Sequence, residues 1–245
     1  MIFAYFSVLI FSAPASLLSL ALFSASNGHV ELANTNGTIW NGTASPILIQ
    51  RNGGLIKLNS LHWDISAFAL LKFKIAAQLN WDNEQQVQPM NVIISFDQVA
   101  LQHTYLPLPA TLLEEASDFL KPAALRGKII LRSDSFIISQ QIAQGTATAD
   151  WLNASSSLSS ISPLGNYHFI FSSNSAGLDI NLETTSGALI LAGQGRFLPT
   201  SGLEFNGTAQ ASKGSEEALR ELLSHLGPQL SPGISTFSLV PARTH

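Results

Sequence analysis

Apolar residues fill the start of the chain. Met1 to Phe23 contains no charged side chain, and beyond Val30 the pattern changes to short runs in which apolar and polar positions alternate. As a helix rising about 1.5 Å per residue, the first run covers roughly the thickness of a bilayer core. It predicts a retained transmembrane anchor over 1–24, with Pro14 kinking the helix and offering a packing point for other membrane helices. The small residues Ala13 and Ala15, and Ala21 to Ala25, leave signal cleavage as the alternative, disfavoured by the lack of a basic n-region. Arg51 is the first basic residue, so the positive-inside rule is silent on orientation.

The alternating runs are rich in Ile, Val, Thr, Leu and aromatics and are bounded by Gly, Asn, Ser and Pro, which is the pattern of strands. They predict strands at Thr38 to Trp40, Ala44 to Gln50, Gly54 to Leu58, Lys72 to Trp81, Val87 to Phe96, Gly127 to Ser133 and Phe136 to Ala143. More follow at Gly145 to Trp151, Asn166 to Ser172, Leu178 to Thr184, Ala188 to Phe197, Leu203 to Ala211 and Thr236 to Val240. Two helices interrupt them. Thr111 to Leu120 carries Glu114 and Glu115 near its start, and Ser215 to Leu226 has Ser215 as N-cap, an apolar stripe of Leu219, Leu222, Leu223 and Leu226, and a Gly227-Pro228 stop. The fold class expected is mainly β: an N-terminal transmembrane helix, then a curved antiparallel β-sheet body with two short helices. Leu61-His62-Trp63-Asp64 and the run ending in Asp150-Trp151 stand at matching places in the two parts of this body, a hint of two related β units, with halves 29–105 and 125–240.

Composition removes several chemistries. Twelve Lys plus Arg against sixteen Asp plus Glu, without a basic run, argue against a nucleic-acid partner, and the absence of Cys removes disulfides and thiolate chemistry. The six His are scattered singly, without the short spacings of a metal site, and no nucleophile elbow or phosphate loop occurs. Gly193-Gln194-Gly195 is half of a dinucleotide fingerprint, but it lies in a strand pattern and reads as a twist or bulge. Asp64, Asp134 and Asp150 read as strand-end or turn residues, and the three Asn-Gly-Thr motifs at 36, 41 and 206 as turns with positive φ. Trp40, Trp63, Trp81 and Trp151 read as core or rim packing, with an apolar groove as the sharper alternative. Catalytic, cofactor and metal residues are therefore expected to be none. The candidate interaction or structural residues are Pro14, Trp40, Trp63 and Trp151.

Asn36-Gly37-Thr38-Ile39-Trp40-Asn41-Gly42-Thr43-Ala44 resembles the Gly-Thr-x-Trp-x-Gly signature of type II secretion system protein N. Further elements arrive in that family's order. Leu61-His62-Trp63-Asp64 with Ala69-Leu70-Leu71 looks like its first Trp motif, and Leu125-Arg126-Gly127-Lys128-Ile129-Ile130-Leu131 like its central strand. Gly145 to Trp151, Pro163-Leu164-Gly165-Asn166-Tyr167, Gly187 to Gly193 and the Leu219 to Gly227 helix complete the series, whose order and spacing carry the resemblance.

The resemblance implies a bitopic inner-membrane protein: an anchor at 1–24 and a periplasmic β-rich domain at 25–245. It further implies a non-catalytic accessory component whose partners are other inner-membrane proteins of the type II secretion platform. The rival from the residues is a carrier of lipid or another hydrophobic ligand, with Trp63, Trp81, Trp151 and the Leu/Ile strands forming an apolar trough. A membrane-anchored hydrolase is the third reading, and it lacks a nucleophile or metal set in the sequence.

Overall fold

Pro14 ends the apolar start as a uniform helix. It is extended, at φ −70° and ψ 151°, and helix α1 (Ala15–Ala25) begins after it, because the ring fixes φ and the missing N–H suits the residue that opens a helix. The predicted mid-helix kink is thus replaced by a helix start. Among the described residues no helix is long and apolar enough to cross a membrane, and residues 1–10 of the expected anchor lie outside them. The computed structural model describes residues 11–51, 54–82, 86, 88–115, 118–139, 143–198 and 201–239.

The chain divides into two units, Met1–Thr104 and Tyr105–His245. In the first, β1 (Val30–Leu32), β4 (Ile47–Arg51) and β5 (Gly54–Leu58) form a three-stranded sheet in the order β1-β4-β5. A second sheet runs β2 (Asn36–Gly37), β3 (Asn41–Ala44), β6 (Leu61–Ile65), β7 (Ile75–Trp81), β8 (Met90–Ile94) and the start of β9 (Gln98–Pro109). The expected strand at Ala44 to Gln50 is divided at Ser45 and Pro46, and the chain restarts as β4 in the other sheet; Pro46 has no N–H for a ladder. A short helix, α2 (Ala67–Leu70), joins β6 to β7.

The second unit is a meander of long strands: β10 (Arg126–Ser139), β11 (Ala143–Ser155), β12 (Gly165–Ser173), β13 (Leu178–Gly187), β14 (Leu189–Leu198) and β15 (Gly202–Ala211). Next to β15 lies β17 (Ile234–Leu239), with β16 (Gln229–Ser231) at the edge. All these pairs are antiparallel, and no sheet closes on itself among the described residues. The two strands expected at Gly127 to Ser133 and Phe136 to Ala143 are one strand, because a register shift between Arg132 and Ser135 absorbs Ser133 and Asp134 without breaking the ladder.

The helix expected at Thr111 to Leu120 is instead a pair of 3₁₀ segments, Ala110–Glu115 and Asp118–Ala123, the second containing Pro122. The second expected helix is present in shorter form as α3 (Arg220–Leu226), with Leu219 rather than Ser215 at its N-cap and turns at 212–219 leading in. Its stripe does what the spacing requires: Leu219, Leu222 and Leu223 are buried against Leu164, Leu189, Ala209 and Ala211.

Candidate functional site

Alternation sorts the strands of the second unit into two faces. On β12, Gly165 and Tyr167 point inward with Phe169 and Phe171; on β13 the inward residues are Leu178, Ile180 and Leu182, and on β15 Phe205, Ala209 and Ala211. The residues between them are polar on most strands: His168 on β12, Asp179, Asn181 and Glu183 on β13, Glu204 and Asn206 on β15. One face is apolar, the other wet.

The apolar face is not filled. It encloses a cavity of about 290 Å³ between the strands, α3 and the 3₁₀ segments, lined by residues such as Trp151, Tyr167, Phe169, Leu182, Phe205 and Leu222. Among the described residues its polar side chains besides the indole are Ser156 and Tyr167, and both are engaged: Ser156 Oγ donates to Ala123 O at 2.6 Å and the Tyr167 hydroxyl to Leu189 O at 3.0 Å. Among the described lining residues the side-chain donors are all in use, so the site suits a hydrocarbon guest.

Tyr167 is almost fully buried, and burial pushes its phenol well above the ordinary tyrosine range. The unfolded chain ionises this group near pH 10 while the folded chain keeps it neutral. Its contribution to stability is therefore complete below about pH 10 and falls above it by about 1.4 kcal/mol per pH unit until the folded group titrates. Urea melts at pH 9 and pH 11 should show this fall in the native chain and a shallower one in Tyr167→Phe.

Trp63 and Trp81 are buried in the first unit, and Trp151 alone lines the cavity. Trp63 and Trp151 nevertheless repeat one geometry. Trp63 stands opposite Gly42 and its Nε1 donates to Ile39 O at 3.2 Å; Trp151 stands opposite Ile129 and donates to Arg126 O at 3.0 Å. In each case the acceptor lies three residues before the cross-strand partner, so an indole is clamped over the preceding strand in both units. Pro14 and Trp40 lie near Trp63: Pro14 bridges Thr38, and the Trp40 ring packs on Phe11 with centroids 5.9 Å apart.

The glycine motifs take their meaning from these rings. A Cβ at Gly42 would come within 2.5 Å of the Trp63 ring, one at Gly193 within 2.6 Å of Phe205, and one at Gly207 within 2.5 Å of Phe237. Gly42 and Gly207, expected in turns, therefore lie in strands as seats for aromatic rings, and only Gly37 of the three Asn-Gly pairs has positive φ. Gly193-Gln194-Gly195 is likewise strand, bedding Phe205.

The three aspartates also sit within strands rather than turns. Asp64 accepts from Asn41 Nδ2 at 3.0 Å, Asp134 lies at the β10 register shift, and Asp150 on β11 accepts from Arg132 Nη1 and is 2.6 Å from His168 Nδ1. Arg132 stacks over Tyr105, with 5.6 Å from Cζ to the ring centroid. This half-exposed chain of charges ties β10, β11 and β12 together on the polar face, where such pairs add little stability. Among the described residues no hydroxyl bonds to His168, and no group of three or more His, Cys, Asp or Glu is placed to hold a metal ion.

These features define a class first: a protein of antiparallel sheets, open among the described residues, with an uncharged apolar N-terminal segment and an apolar cavity as its most developed site. The chain belongs to the family of type II secretion system (T2SS) protein N, whose model matches residues 28–237. It is similar to the type II secretion system protein N of Pectobacterium carotovorum subsp. carotovorum, at 24% identity over 245 residues, covering 97% of this chain and 93% of that protein. No solved structure matches it. By family, the chain is a component of the type II secretion system.

Proposed function

We propose that the chain is an accessory, non-catalytic component of the secretion platform, held in the inner membrane by its N-terminal segment with its sheets in the periplasm. It acts by binding other inner-membrane platform proteins and so supports export of folded proteins across the outer membrane. The observation that carries this reading, beside the family, is α1. It has no charged residue and leaves Leu17, Leu20, Leu22 and Phe23 exposed. One side of the helix rests on β1, where Ser19 Oγ donates to Leu32 O at 3.0 Å, and the exposed leucines and Phe23 on its uncovered surface suit a lipid surrounding. Confinement to the membrane plane would raise its effective concentration toward other anchored proteins.

The open edge of β17 offers one docking mode. β16 reaches only Ile234 and Ser235, and Thr236 N is bonded to Pro228 O, so the edge beyond them has no strand partner among the described residues. Secretion assays test the proposal. Cells carrying the chain without residues 1–25 should export no more folded cargo than cells lacking the chain, whereas full recovery by that truncated form would contradict the anchored reading.

The cavity favours a second reading, a carrier of a hydrophobic ligand. At about 290 Å³ it is roughly twice the size of a dry cavity of about 150 Å³ that accepts benzene and near the lower end of ligand sites. That size admits one acyl chain and excludes a multi-chain lipid in full.

A further inference from the structure

The first unit has an apolar end that its own fold leaves bare. The register places it: Asn41 faces Asp64, Ile65 faces Ala77, Ile75 faces Ile94 and Ile94 faces Val99. The connection 66–74, which includes α2, and the turn 95–97 therefore project from the same end of the sheet, as does the 38–40 turn before β3. Phe68, Leu71, Phe73, Ile75, Ile94 and Phe96 are all exposed there, Phe73 at 92% and Phe96 completely.

Nothing in the fold asks for this. The four residues of α2 bury no side chain, and Phe73 sits in the left-handed region at φ +54°, a costly conformation for an aromatic residue that gains no packing in return. Single exposed hydrophobics are ordinary, but a contiguous group of this kind marks a contact surface.

Charge indicates what covers it. Lys72 and Lys74 alternate with Leu71 and Phe73 in the turn, both are exposed, and neither is in an ion pair among the described residues; Asp97, exposed in the neighbouring turn, is the acidic group on the projecting turns. Lysine is depleted from the cores of protein interfaces, whereas ammonium groups interleaved with Phe and Leu suit a bilayer surface, where phosphates accept the charge and rings enter the acyl boundary. The same end also receives the apolar N-terminal segment. Ile39 N donates to Ala13 O at 2.9 Å, Pro14 bridges Thr38, and Phe11 packs on Trp40.

We propose that this end of the first unit is a second membrane contact, in which Leu71, Phe73 and Phe96 insert at the headgroup boundary of a bilayer containing anionic phospholipid while Lys72 and Lys74 bind its phosphates. The proposal rests on the reading that the N-terminal segment lies in the same membrane. It makes the sheet stand on the bilayer instead of swinging freely from its anchor.

The absence of cysteine makes the test direct. Full-length chains carrying Phe73→Cys, Phe96→Cys or, at the opposite end of the same sheet, Asp82→Cys are labelled with an environment-sensitive dye and mixed with phosphatidylethanolamine and phosphatidylglycerol vesicles. Labels at 73 and 96 should shift to the blue and lose about half their emission to acyl-chain-brominated lipid, while the label at 82 stays unchanged. Lys72→Glu with Lys74→Glu should weaken the quenching at 73. Labels at 73 and 96 that behave like the one at 82 overturn the proposal, as does a blue shift that follows protein concentration without lipid quenching, which would mean pairing of two chains. Alkaline extraction of the same vesicles reads the anchor separately: retention without quenching leaves the anchor standing and removes this contact, and quenching without retention does the reverse.

Discussion

Trp151→Ala should lower the unfolding free energy by about 3–5 kcal/mol, the cost of emptying a large aromatic site in a core. Three losses add up at this position. The ring is buried and packs on Tyr167 with centroids 5.5 Å apart, its Nε1 donates to Arg126 O, and it forms one wall of the cavity. Truncation would merge the vacated volume with space already empty, so little collapse can offset it. Trp151→Phe keeps much of the packing and leaves the Arg126 carbonyl without its donor, at about 1–3 kcal/mol. Urea midpoints of the two variants, taken with an unchanged m-value, separate the terms. Equal midpoints for the native chain and Trp151→Ala would mean that the indole is a contact residue and not a structural one. The equivalent clamp makes Trp63→Ala similarly costly in the first unit.

Leu222→Ala should cost about 2–5 kcal/mol and at the same time enlarge the cavity. Leu222 is buried in the stripe that seats α3 and also lines the empty space, so its loss weakens the lid and widens the chamber below it. Thermal melts report the first effect. Uptake of an apolar fluorescent probe reports the second, and the enlarged variant should take up more probe than the native chain. Unchanged uptake with reduced stability would show that α3 collapses into the gap and that the cavity has no independent capacity for a guest.

Much of this architecture is legible in one dimension. The period-two runs locate most strands, and the Leu219, Leu222, Leu223 and Leu226 spacing identifies the face that α3 buries. What fails to show is non-local or broken by local chemistry. β9 is hidden because His103 adopts positive φ within it and Pro107 and Pro109 interrupt its pattern. Pro122 and the flanking Pro109 turn an apparent helix into 3₁₀ segments, since proline lacks the N–H that a helix interior needs. Gly42, Gly193 and Gly207 look like turn or fingerprint residues because the rings that need their space come from other strands. Of the site, the apolar lining at 167, 169 and 171 is visible as alternation. The cavity itself is a property of facing elements that no single segment encodes. The exposed end of the first unit is hidden for the opposite reason: Phe73 and Phe96 look like core residues until the register places them in turns.

Affinity purification of the tagged full-length chain from gently solubilised membranes, with proteins and lipids in the eluate identified by mass spectrometry, tests the central claim most directly. The account predicts recovery of inner-membrane proteins of the secretion platform with bulk annular lipid only. One equivalent of lipid held through delipidation, with no platform protein recovered, would contradict it and make the chain a carrier.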